Sequence, residues 1–158
     1  MKGGGKLITL DKARDKAVKL TDKDIPATLS LHNWKKAGAI SGVIDYKIDD
    51  KTGGKSGLYP DYVVIEIATA AELKEEITLK KVGEVRAIVV EKLEEEGKTL
   101  GDIVNVGSGA GIDVTSNKLL GEVGLIDLGY QELLMFKLMD KYIRTFYKVR
   151  NKLFNKRS

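Results

Sequence analysis

Three places in the sequence combine residue type and spacing in ways that could do chemistry. The first is "KIDDKTGGKSGLYPD", residues 47–61, which holds Gly54-Lys55-Ser56. A phosphate-gripping P-loop needs G-x-x-x-x-G-K-[ST] after a strand and before a helix. Asp49 stands where the first glycine belongs and would turn a negative charge toward the phosphates. The run that follows reads as a strand, so no helix N-terminus is available for an anion. The triplet therefore reads as a turn. The second place is "VNVGSGAGIDV", residues 104–114, with Gly107, Gly109 and Gly111 at alternate positions. The dinucleotide pattern G-x-G-x-x-G fails because Ile112 occupies its last position. This stretch reads as a loop whose N–H groups would favour an anion. The third is His32, the single histidine. The chain has no cysteine and no G-x-S-x-G elbow, which excludes thiolate chemistry and the serine-hydrolase elbow. A zinc site built from several histidines is excluded as well. Trp34 nearby reads as a core or interface anchor.

Two carboxylates carry the remaining catalytic reading. Asp45 and Glu66 fall on two runs that read as neighbouring strands, with a helix downstream. This arrangement loosely resembles the core of the PD-(D/E)-x-K nuclease superfamily. The resemblance implies a metal held by Asp45 and Glu66, and a lysine two residues after the second acid. In "Glu66-Ile67-Ala68" that lysine is replaced by Ala68. The likeness covers about 25 residues of a permissive motif. The plainer reading sets both acids on the solvent face of a hairpin. No metal site and no cofactor are expected.

The C-terminal segment is the most unusual. Residues 131–158 contain eight Lys/Arg and two acids, a charge of +6 in a chain of net +4, so the rest carries −2. From Lys141 onward seven bases meet no acid, interleaved with Tyr142, Phe146, Tyr147 and Phe154. Leu138, Tyr142, Phe146, Val149 and Leu153 recur at helical spacing and are assigned to packing. Arg144, Lys148, Arg150 and Lys152 are assigned to anion or nucleic-acid contacts, since phosphates take charge and rings stack on bases. A stripe this long needs cover, which a second copy of the chain could provide.

These groups need elements to position them. The 158 residues, 42% hydrophobic and 32% charged, fit one domain, 1–158. Ala13, Ala17 and Leu20 predict a short helix over 10–20. Pro26 and Gly38 bracket a segment that reads as helix, although Ala27, Leu29 and Leu31 alternate as in a strand. Ile40, Ile44, Tyr46 and Ile48 predict a strand over 39–48, and Val63, Ile65 and Ile67 a second over 61–69. Together they predict a hairpin with a long, turn-rich connection. Thr78 caps a helix over 78–96, stopped by Gly97. Thr99 and Asp102 form a capping box, and a brief strand is expected within 112–116. A long basic amphipathic helix over 128–154, within the segment 128–158, is expected to project in part. The N-terminus does not read as a signal peptide, and no run approaches a membrane span.

The expected class is α+β: a small antiparallel sheet packed by the 78–96 helix and the long C-terminal helix. The expected function is a non-enzymatic binding or assembly protein, cytoplasmic or in an intracellular assembly. It would self-associate through the C-terminal helix, as a component of a virion-like or secretion-type complex. The alternatives are a nucleic-acid-binding protein using the basic tail, also suited to an acidic protein surface, and a divergent nuclease using Asp45 and Glu66.

Overall fold

The structure is a computed structural model that describes residues 6–104 and 130–155. The Gly107–Gly111 loop and the strand expected within 112–116 lie outside the described residues. The elements are β1 (Leu7–Thr9), α1 (Leu10–Val18), α2 (Thr28–Lys36), β2 (Asp45–Ile48), β3 (Lys55–Pro60), α3 (Val63–Leu73), α4 (Leu79–Glu95) and α5 (Leu100–Val104). A long C-terminal helix, α6 (Tyr130–Asn155), completes them. The three strands form an antiparallel sheet in the order β1-β3-β2. The class is α+β, as the sequence predicts.

The strands themselves are not the predicted pair. The 39–48 run contributes only Asp45–Ile48. Its partner is β3, which lies inside the stretch read as connection, with Lys47 opposite Ser56 and Ile48 opposite Lys55. Lys55 and Ser56 are therefore strand residues, and the turn precedes them. Asp49 organises that turn: its Oδ1 accepts from Lys51 N at 2.8 Å, and its carbonyl accepts from Gly53 N at 2.7 Å. Gly53 has φ +74°, a backbone state that glycine adopts without strain.

Residues 61–69, read as the second strand, instead enter helix α3. Every residue from Val63 to Ala71 is buried. A helix covered on all sides loses the polar face that would reveal a 3.6-residue period. What remains is a short apolar run, which periodicity alone cannot assign to strand or helix. The alternation of Val63, Ile65 and Ile67 was therefore uninformative, and Ala68, Ala70 and Ala71 favour the helix. In the fold, α3 packs against α1, α4 and α6.

The other helices end where their sequences direct. Thr9 caps α1 and Thr78 caps α4, each accepting the backbone N–H three residues on. At the far end of α4, Lys98 N donates to Leu93 O and Gly97 N to Glu94 O, with Gly97 at φ +73°. That is a Schellman stop, and it satisfies two end carbonyls. The Thr99–Asp102 capping box forms in both directions, at 2.8 and 3.2 Å. Helix α6 has 26 residues, about 39 Å at 1.5 Å per residue. It buries Met139, Tyr142, Ile143, Phe146, Tyr147, Val149 and Arg150 against the body. Where α2 ends, the chain runs so close to α4 that a Cβ on Gly83 would stand 1.8 Å from the Ala37 carbonyl oxygen.

Candidate functional site

Strands β2 and β3 extend as a two-stranded arm. All four β2 residues are exposed, as are the first two of β3. Ile44, Tyr46 and Ile48 are 60%, 57% and 62% exposed. Of the four residues expected on one strand face, Tyr46 and Ile48 lie in β2, Ile44 precedes it, and only Ile40, upstream, turns into the core. Tyr46 and Ile48, at alternate positions of β2, share one face of the arm, while Ile44 precedes the strand and donates its N–H to Leu58 O at 2.8 Å. Lys55 Nζ lies 5.5 Å from the Tyr46 ring centroid on that face.

The arm also has an open edge. Among the described residues β2 pairs only with β3. Asp49 N donates to Gly54 O at 2.8 Å, continuing a register in which Lys47 faces Ser56. In an antiparallel ladder the bonded positions alternate, so the backbone groups of Tyr46 and Ile48 point off the sheet. The Tyr46 N–H is met by the Asp45 Oδ1 at 2.8 Å, a side chain standing where a neighbouring strand would be. An exposed strand edge with apolar side chains is a template for another strand.

The densest polar cluster lies inside the body. Glu66, on α3, is wholly buried. Its Oε2 accepts from Arg86 Nε of α4 at 2.7 Å, and its Oε1 from Ser41 N at 2.9 Å. Arg86 Nη2 closes the ring on Ser41 Oγ at 3.0 Å. Burial lowers the Arg86 pKa, but the Glu66 charge and hydrogen bond, together with the Tyr142 and Tyr62 phenols, outweigh it and hold the guanidinium above its ordinary value. Burial, with Glu66 behind it, raises the phenols of Tyr62 and Tyr142. The Tyr142 hydroxyl feels both charges, with Arg86 drawing its pKa back down, and makes no well-formed hydrogen bond among the described residues. With both carboxylate oxygens engaged and Glu66 itself shielded from solvent, this cluster is built for holding three segments together.

A third feature is electrostatic. Lys148 and Lys152 of α6 come beside Lys19 and Lys23 of the α1–α2 connection, lining a groove of about 770 Å³. Asp22 and Glu72 share it, and Glu72 accepts from the Thr21 hydroxyl at 2.5 Å.

The residues predicted to act at a site are therefore dispersed. Asp45 is on the exposed arm and Glu66 in the core, on a helix. The two adjacent strands on which the nuclease likeness rested are not both present, and Glu66 is committed to Arg86. Of the packing set, Tyr142, Phe146 and Val149 are fully buried within the chain itself, and Leu138 and Leu153 pack partly against the same core. Of the anion set, Arg144 is exposed and pairs with Asp140 at 3.0 Å, while Lys148 and Lys152 face the groove. Arg150 is buried, donating to Val104 O at 2.8 Å and Asn151 Oδ1 at 2.9 Å, so it faces protein rather than solvent. Sequence reasoning missed the exposure of Ile44, Tyr46 and Ile48, and missed Arg86 and Ser41 altogether. The clue to the arm was a short alternating strand followed at once by a turn-rich segment. Arg86 left no clue beyond being a base among the apolar positions of α4.

No helix among the described residues is long and apolar enough to cross a membrane. Comparison with known protein families, characterised proteins and solved structures finds no match.

Proposed function

We propose that this chain is a non-enzymatic binding and assembly protein whose β2–β3 arm is the assembling element. One observation carries the reading: Tyr46 and Ile48 stand exposed on an edge strand, with Ile44 exposed just before it. Full burial of an exposed apolar side chain brings roughly 1.5–3 kcal/mol, and association would recover the part of this that these three leave unused. The contact moves from the C-terminal helix to the arm, because the stripe on α6 is already spent in the protomer's own core. The chain would self-associate inside the cell as a component of a larger structural complex, of virion-like or secretion type.

Light scattering on the full chain and on an Ile44→Ser/Tyr46→Ser/Ile48→Ser variant tests this reading. The wild type is expected as a multimer and the variant as a monomer with unchanged circular dichroism. Equal masses for the two overturn it.

The basic groove supports a second reading, binding of a polyanion such as nucleic acid. Lys148 and Lys152, assigned to anion contacts from sequence, converge there with Lys19 and Lys23. Lysines in a shared groove act as point charges on phosphate, giving affinity without base specificity. Nucleic acid co-purifying with the wild type but not with a Lys148→Glu/Lys152→Glu variant would favour it.

A further inference from the structure

We infer that the arm joins two copies of the chain isologously, β2 against β2 of the second copy, antiparallel about a two-fold axis at Tyr46. This inference rests on the reading of the arm as the assembling element. It adds which surface of the second copy the arm meets.

Parity and charge select the register. Tyr46 and Ile48 direct their backbone groups off the sheet, so only pairings that match such positions with each other form bonds. Centring the pair on Tyr46 satisfies this, since each Tyr46 donates its N–H to the other's carbonyl. The Asp45 carboxylate that now accepts the Tyr46 N–H is released in the process. In the same register each Asp45 faces the second copy's Lys47, twice by symmetry. The Ile44 N–H is already given to Leu58 O within its own protomer, so the new ladder ends at these charged pairs. Opposite charges directly across a strand pair attract, and like charges repel. A pairing displaced so that Tyr46 faces Ile48 would oppose Lys47 to Lys47 and Asp45 to Asp49. A pairing centred on Ile48 would carry Asp45 and Tyr46 opposite Lys51 and Asp50, which belong to the turn rather than the strand. The Tyr46 register alone pairs Asp45 with Lys47 inside β2.

The apolar faces then become continuous. Two three-stranded sheets, ordered β1-β3-β2, meet to form one sheet of six strands. Tyr46 and Ile48 of both copies fall on one surface of it. An isologous contact uses the same patch on both partners, so it closes at a dimer. The edge charges also discourage pairing with strands whose charges do not match.

Charge reversal tests the register, on the full chain by sedimentation velocity over a range of concentrations. Asp45→Lys and Lys47→Asp, made singly, each turn two attractive cross-strand pairs into two repulsive ones. Each is expected to weaken the dimer by about tenfold or more. The double variant Asp45→Lys/Lys47→Asp restores opposite charges across the axis and is expected to recover dimerisation to within about threefold of wild type. All positions changed are exposed, so the fold is expected to be untouched. If the triple serine variant is monomeric but the double reversal brings no recovery, the arm assembles and this register is overturned. If the triple serine variant keeps the wild-type mass, or the wild type is itself monomeric, the arm reading and the register fall together.

Discussion

Arg86 Nε donates to Glu66 Oε2 over 2.7 Å, and the Glu66 side chain is wholly shielded from solvent. The pair ties α4 to α3, and Ser41 draws in the segment after α2. A buried ion pair is poor evidence for net stability, because desolvation opposes the attraction. Breaking it from one side is different, since the remaining charge is left in the core. Arg86→Met is expected to cost about 3–5 kcal/mol, and the joint change Glu66→Leu/Arg86→Met much less than the sum of the singles. Urea unfolding of the four members of the cycle measures this. Additive losses would mean that the two charges do not act on each other.

Gly83 makes the fold depend on a missing side chain. Alanine is the better helix former by about 1 kcal/mol, and in an open helix the exchange would stabilise. Here a Cβ would meet the Ala37 carbonyl oxygen at 1.8 Å. Gly83→Ala is therefore expected to destabilise by about 2 kcal/mol or more, as overpacked sites do. Thermal unfolding decides the sign, and a raised midpoint would show that α2 and α4 do not approach this closely.

Tyr142 carries a buried hydroxyl beside Arg86 with no well-formed hydrogen bond among the described residues. An unsatisfied buried donor costs about 1–3 kcal/mol, so Tyr142→Phe is expected to hold or raise stability. The raised phenol pKa gives an independent check. The protonated form is favoured in the folded state, so this contribution is whole below the ordinary phenol value of about 10. It is lost as pH rises above that value toward the folded pKa. Tyr142→Phe should therefore lose stability less steeply above pH about 10 than the wild type. In absorbance titrations of this chain of six tyrosines, the native amplitude should be the same for both proteins. The unfolded amplitude should fall by one residue.

The arm turn is held by Asp49, whose carboxylate takes the Lys51 and Thr52 N–H groups at 2.8 and 3.4 Å. Asp49→Ala is expected to cost about 0.5–2 kcal/mol locally, by analogy with the loss of a capping side chain. Since β2 is exposed throughout, that loss should appear as faster amide hydrogen exchange in residues 44–58. The global midpoint should change little. A fall in the global midpoint would mean that the arm belongs to the main cooperative unit.

Polyanion binding at the groove makes a quantitative claim about salt. The logarithm of affinity for single-stranded nucleic acid should fall with log salt at a slope of about −0.7 per phosphate neutralised. Lys148→Glu/Lys152→Glu should reduce that slope by about the two contacts removed. An unchanged slope places the contacts elsewhere.

Several elements were legible because their signals are local. Thr78 and Gly97 bound α4 through hydrogen bonds made within a few residues, and Thr99 and Asp102 form their capping box in the same way. The amphipathic spacing of α6 and the absence of cysteine also need no tertiary information. Only the tertiary structure decided what α3 is. A run apolar on every side has no period to read, and its helical state follows from the burial of each face by a different neighbour. Packing likewise decided that Tyr142, Phe146 and Val149 serve the chain's own core, because an apolar stripe does not specify what covers it. The same holds for Tyr46 and Ile48: alternation shows that the two side chains share a face, and only the neighbouring elements determine whether that face meets protein or water. Arg86 and Glu66, 20 residues apart, meet only because α3 and α4 pack side by side.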